Sequence, residues 1–110
     1  VIYLKKSFLE PLPPGPLSRL SNYSADNLYL RWNAPDKDSH VNLFKVIIDH
    51  HTQVTNDNEP EIHWNNLLEP YTKYNVTIYA VSYGYASNYP LKGSRESLPA
   101  IYQIITEDSK

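Results

Sequence analysis

In Tyr74-Asn75-Val76-Thr77-Ile78-Tyr79-Ala80 the side chains alternate at every step, with Tyr74, Val76, Ile78 and Ala80 on one face and Asn75, Thr77 and Tyr79 on the other. A period of two is the mark of a strand with one face buried. The pattern recurs. Leu28, Leu30 and Trp32 share a face opposite Tyr29 and Arg31, and Phe44, Val46 and Ile48 share another while Lys45 points away. Ile62 and Trp64 are in phase within a weaker run from Glu61 to Asn65, and Ala100 to Thr106, rich in Ile and Tyr, closes the set. No segment longer than a few residues keeps a 3.6-residue period, so helix is expected to be nearly absent. Short half-buried strands with loop signals between them must stack face to face or close on themselves. A Greek-key sandwich and a small barrel both satisfy that demand.

Gly and Pro place the breaks. Pro11-Leu12-Pro13-Pro14-Gly15-Pro16 lacks most of the N–H groups a ladder needs and is expected to run extended. The division this implies is an N-terminal extension or linker, or the end of a preceding domain, over 1–12, one domain over 13–107, and a C-terminal linker over 108–110. A chain of 110 residues holds one domain, and at that size roughly two thirds of the unfolded surface can be buried. The core must suffice without staples, because the chain has no cysteine. Disulfides and thiolate zinc sites are thereby excluded, while the compartment is left open.

Several function classes find no support. A net charge of −2 with scattered Lys and Arg is unlike the basic stripe of a nucleic-acid binder. No apolar run approaches the ~18 residues that cross a bilayer, and Val1-Ile2-Tyr3-Leu4 is too short for a signal-peptide core, with its lysines following rather than preceding. The chain reads as a mature piece of something longer. Catalysis has no foothold: phosphate loop, nucleophile elbow and paired-His zinc motif are all missing. Of His40, His50, His51 and His63, the adjacent pair is expected on a strand, pointing to opposite faces and unable to share an ion. No catalytic residue, metal ligand, cofactor or small-molecule substrate is therefore assigned.

Read in order, Pro14 and Pro16 before a Leu, Leu28-x-Leu30-x-Trp32-x-x-Pro35, Val41-x-x-Phe44-x-Val46, Leu68-x-Pro70-x-Thr72-x-Tyr74, and Ser97-x-Pro99 before a last strand ending at Thr106 resemble the fibronectin type III family. The resemblance covers about residues 13 to 106. It implies an all-β, immunoglobulin-like Greek-key sandwich of seven strands in two sheets, and it decides between sandwich and barrel. It also implies a structural core of Trp32, Tyr74, Leu30, Val46, Leu68, Val76 and Ile78, with the Tyr74 hydroxyl bonding back to main chain near Leu68 to Tyr71 as in a tyrosine corner. Two stretches depart from the pattern. The first strand registers on Leu17 or Leu20, neither at the usual distance from Trp32, and the stretch from Trp64 to Leu68 is one residue longer than usual. A bulge is expected there, with Leu67 or Trp64 displaced from the inward position.

The resemblance implies an F–G connection running from Ser82 to Glu96, a region many family members use for binding. Its Tyr, Ser, Gly and Asn mixture suits recognition, and Tyr83, Tyr85, Tyr89 and Arg95 are the partner-binding candidates. It lacks Arg-Gly-Asp, and the chain lacks the Trp-Ser-x-Trp-Ser signature of cytokine receptors. Asn22-Tyr23-Ser24 and Asn75-Val76-Thr77 are sequons, making Asn22 and Asn75 glycosylation candidates. Thr55-Asn56-Asp57-Asn58-Glu59-Pro60 resembles the calcium linker of cadherins, but Val54 stands where the leading Asp belongs and the segment is mid-domain; a polar hairpin-type loop accounts for the same residues.

The expectation is a non-catalytic extracellular interaction and spacer module of a multidomain cell-surface receptor or adhesion protein. It would contact a protein ligand or neighbouring domains and meet a membrane only through its parent. The alternatives are a spacer of a secreted enzyme or intracellular structural protein, and a calcium-dependent adhesion domain.

Overall fold

The computed structural model describes residues 11–35, 41–65, 68–82 and 95–108. Seven strands follow one another: β1 (Asn27–Arg31), β2 (Leu43–Ile48), β3 (His51–Val54), β4 (Glu61–Asn65), β5 (Lys73–Ser82), β6 (Arg95–Glu96) and β7 (Ala100–Ile105). β1 and β4 form one antiparallel sheet, and β3, β2, β5 and β6 lie in that order in the other, with β7 also on β5. No helix occurs among the described residues. The fold is thus an all-β sandwich.

The alternating residues fill the space between the sheets. Leu28, Leu30 and Trp32 from the small sheet meet Phe44, Val46, Ile48, Tyr74, Val76, Ile78, Ala80 and Ile104 from the large one, joined by Ile62 and Trp64. Trp32 is 1% exposed, and its ring meets Phe44 edge-on at 5.3 Å. Leu68 is only half-buried, packed against the edge of this cluster. The indole nitrogens of Trp32 and Trp64 have no hydrogen-bond partner among the described residues, so both rings are held by burial and packing alone.

The strand inventory differs from the reading above at both ends. The first strand is reduced to isolated bridges, Leu17 with Trp32, Asn22 with Tyr29 and, in parallel, Ser24 with Glu107. Pro13, Pro14 and Pro16 cannot donate, and a turn closed by the Ser21 N–H on the Ser18 carbonyl (3.1 Å) separates the bridges, so only scattered bonds such as Gly15 N–H to Asn33 O (2.7 Å) and Ser18 N–H to Arg31 O (2.7 Å) tie the segment down. The register falls on Leu17, which packs on the core, while Leu20 is 70% exposed. A Cβ on Gly15 would stand 2.9 Å from the Asn33 Cβ, so this approach needs glycine. Tyr102 reaches over from β7 to donate its hydroxyl to the Gly15 carbonyl. Burial pushes that phenol up to about 12, so it stays protonated and donating well above neutral pH.

At the other end the last strand is broken. β6 pairs with β5 as Val81 to Glu96, but β7 pairs as Ile78 to Ala100, one residue out of step. The extra residue is absorbed over Ser97-Leu98-Pro99, a bulge in which Ser97 Oγ accepts the Ala80 N–H at 3.0 Å. Proline is tolerated there because the ladder is already interrupted.

Three further expectations are corrected. Trp64 is not displaced: it pairs with Leu28, faces inward and is 1% exposed, in a β1–β4 ladder that runs without a break from Asn27–Asn65 to Arg31–Glu61. Leu67 lies outside the described residues. His50 is not on a strand but shares with Asp49 the two-residue turn between β2 and β3, where Asp49 takes a φ of 54°, a conformation Asp tolerates. Residues 55 to 60 do not close a hairpin, because β3 and β4 belong to different sheets and the loop crosses between them.

Candidate interaction surfaces

Tyr74 and Thr106 close the bottom of the sandwich. The Tyr74 hydroxyl accepts the Glu69 N–H at 2.9 Å. Thr106, 1% exposed, accepts the Thr72 N–H at 3.0 Å through the hydroxyl it donates to the Glu69 carbonyl, while its backbone carbonyl takes the Tyr71 N–H at 3.0 Å. These bonds fix the crossing between the sheets, so both residues belong to the frame that presents the surfaces.

On the outer face of the small sheet, β1 supplies Tyr29 and Arg31, and β4 supplies Glu61 and His63. Register puts Tyr29 opposite His63 and Arg31 opposite Glu61. The Tyr29 hydroxyl donates to Glu61 Oε1 at 2.6 Å, Arg31 Nη1 reaches the same oxygen at 2.7 Å, and the His63 ring lies 4.8 Å from that of Tyr29. The Tyr29 hydroxyl first, and the Arg31 charge with it, holds the Glu61 carboxyl below the usual carboxylate range against a smaller opposing effect of desolvation. A depressed carboxyl supports the fold above its unfolded pKa, and that support fades as pH falls through the folded value. Replacing Tyr29 with Phe is therefore expected to move the Glu61 titration midpoint upward, read from its side-chain carbonyl carbon by NMR. An unmoved midpoint would show that the hydroxyl is not the cause.

Beside this patch, Val54, Thr55, Asn56, Asp57, Glu59, Glu61, Ile62 and His63 line an open groove of about 400 Å³. Of the residues weighed above for calcium, Thr55, Asn56, Asp57 and Glu59 line it, and the side chains of Thr55 and Asp57 are already engaged with the backbone. Asp57 Oδ1 accepts the Glu59 N–H at 3.0 Å, and Thr55 Oγ1 accepts the Phe44 N–H at 2.9 Å and donates to the Asp57 carbonyl. Among the described residues no three His, Cys, Asp or Glu side chains converge as a metal site would require. His51 is exposed at the start of β3, and His40 lies outside the described residues.

The large sheet carries its polar features near β6. Lys45 bonds Glu96 at 2.5 Å and holds its ammonium 4.7 Å above the Tyr79 ring. Arg95, the one F–G candidate among the described residues, is exposed and pairs with Ser82; Tyr83, Tyr85 and Tyr89 lie outside them. Both sequon asparagines are exposed. Asn75 projects from the outer face of β5 beside Gln103, and Asn22 exchanges both backbone bonds with Tyr29 while its side-chain oxygen accepts the Ser24 N–H.

Two features of these surfaces escape a reading by periodicity. Alternation places Tyr29 and Arg31 outward, but only register brings Glu61 and His63 opposite them. In β7, Ile101 and Ile105 are 67% and 60% exposed and Leu98 in the bulge 66%, a surface that a run rich in Ile hides when its faces are not separated.

A family model for the fibronectin type III domain matches residues 12–92. No curated protein matches the sequence. Among solved structures, the fibronectin type III domain of human fibronectin type III domain containing protein 3, determined in solution, is 17% identical and superposes with a TM-score of 0.59 over 91% of this chain and 89% of that one. A structure described as that of a myokine is 16% identical, with a TM-score of 0.55 over 91% of this chain and 99% of that one.

Proposed function

Since the chain belongs to the fibronectin type III family, we propose that it serves as a non-catalytic extracellular spacer and protein-interaction module of a multidomain cell-surface receptor or adhesion protein. Domains of this family are in general interaction modules rather than catalysts, and their roles come from surfaces set on a common frame. Here the frame is a core packed between sheets whose crossing is tied by Tyr74 and Thr106. Contact with a protein ligand or a neighbouring domain is assigned to the connection carrying Tyr83, Tyr85, Tyr89 and Arg95, on its paratope-like composition.

The observation that carries the extracellular reading is the place of Asn75. It is exposed near the start of β5, on the solvent face, with Thr77 of its sequon half-exposed on the same face. A glycan there would leave the core untouched. Secretion from mammalian cells behind a foreign leader is expected to yield protein that loses mass on enzymatic deglycosylation, and Asn22→Gln with Asn75→Gln together should abolish the loss. Secreted protein bare at both sites would count against the reading.

A further inference from the structure

The free edge of β7 has an order that matches itself. The Thr106 N–H bonds the Thr72 carbonyl at 3.0 Å, and antiparallel bonding alternates by two. Ala100, Tyr102 and Ile104 therefore bond to β5, and Ile101, Gln103 and Ile105 turn their N–H and C=O groups outward. Among the described residues no strand pairs with that side. The same three residues have exposed side chains and carry no charge.

The other edges are guarded. On β4 the His63 carbonyl accepts the Gln53 side-chain amide at 3.2 Å, the Glu61 N–H is taken by the Glu59 carbonyl at 2.9 Å, and the strand carries Glu61 and His63. β3 turns only Thr52 and Val54 outward, and β6 turns out Glu96, paired with Lys45. Natural sheets blunt their edges in such ways, and an uncharged unpaired one is a template for another strand.

We propose that this edge binds a second copy of the chain, β7 against β7 antiparallel about a two-fold axis at Gln103. The outward row reads Ile-Gln-Ile, so in this register Ile101 faces the partner's Ile105, Gln103 faces the partner's Gln103, and no like charges oppose. The stops match as well. Pro99 and Glu107 each lie four residues from Gln103; Pro99 has no N–H to offer, and the N–H and C=O of Glu107 are already bonded to Tyr23 and Ala25 at 2.8 and 3.2 Å. The pairing would join the two large sheets into one and consume the edge on both copies, which closes the assembly at a dimer. This inference does not rest on the extracellular reading.

The test uses the 110-residue chain made in bacteria, so that no glycan at Asn75 crowds the face. Such a small interface should dimerise between about 10 µM and 1 mM, seen by sedimentation as monomer and dimer only. The amides of Ile101, Gln103 and Ile105 should exchange more slowly at high than at low concentration. Gln103→Lys sets two ammonium groups opposite each other and should weaken the dimer roughly tenfold, with an unchanged melting temperature when dilute. A chain that stays monomeric throughout that range, a dimer indifferent to Gln103→Lys, amides that exchange alike at both concentrations, or open-ended oligomers would each overturn the proposal.

Discussion

Replacing Trp32 with Ala is expected to remove a large fraction of the domain's stability and to lower its urea midpoint sharply. The ring is fully buried between the sheets, against Phe44, and losing a buried aromatic of this kind costs about 3–5 kcal/mol. A domain of this size has a total of only ~5–15 kcal/mol. Trp32→Phe should be much milder, because the indole nitrogen has no partner among the described residues and only area and volume are lost. Urea titration followed by far-ultraviolet circular dichroism separates the two. If Trp32→Ala kept the native midpoint, or Trp32→Phe fell as far as Trp32→Ala, the ring would not be the packing element described.

Thr106→Val should produce the second largest loss, about 2–3 kcal/mol, with almost no change of volume. The hydroxyl accepts the Thr72 N–H and donates to the Glu69 carbonyl in a site where the residue is 1% exposed. Valine keeps the shape and leaves both backbone groups unmatched, which costs more than the bonds themselves were worth. Thr106→Ser, which keeps the hydroxyl, should recover most of the loss. Equal denaturation midpoints for Val and Ser would mean that the methyl group, not the hydroxyl, matters here.

Legibility in the sequence followed the strength of the pattern. The outward and inward sets of β1, β2 and β5 are plain because each has one buried face, and a slip of one residue would turn every core side chain into water. The first strand shows no periodicity because prolines and the turn from Ser18 to Ser21 reduce its ladder to three isolated bridges. His50 was misplaced because a two-residue turn with Asp at positive φ carries no glycine to announce it. The polar cluster of Tyr29, Arg31, Glu61 and His63 depends on residues some thirty positions apart meeting in register, which local spacing does not encode. Tyr83, Tyr85 and Tyr89 rest on composition alone.

The bulge at Ser97-Leu98-Pro99 decides which way round the last strand lies. β6 and β7 are one residue out of step on β5, so a ladder that ran straight through these three residues would carry β7 on in the β6 register. Gln103 would then sit opposite Tyr74, facing the core, and Ile104 would be turned out of it. Removing one residue from the bulge would instead leave Gln103 opposite Asn75 in a continuous ladder. Leu98, well exposed, is thus the spare position whose outward kink keeps the residues after it in phase.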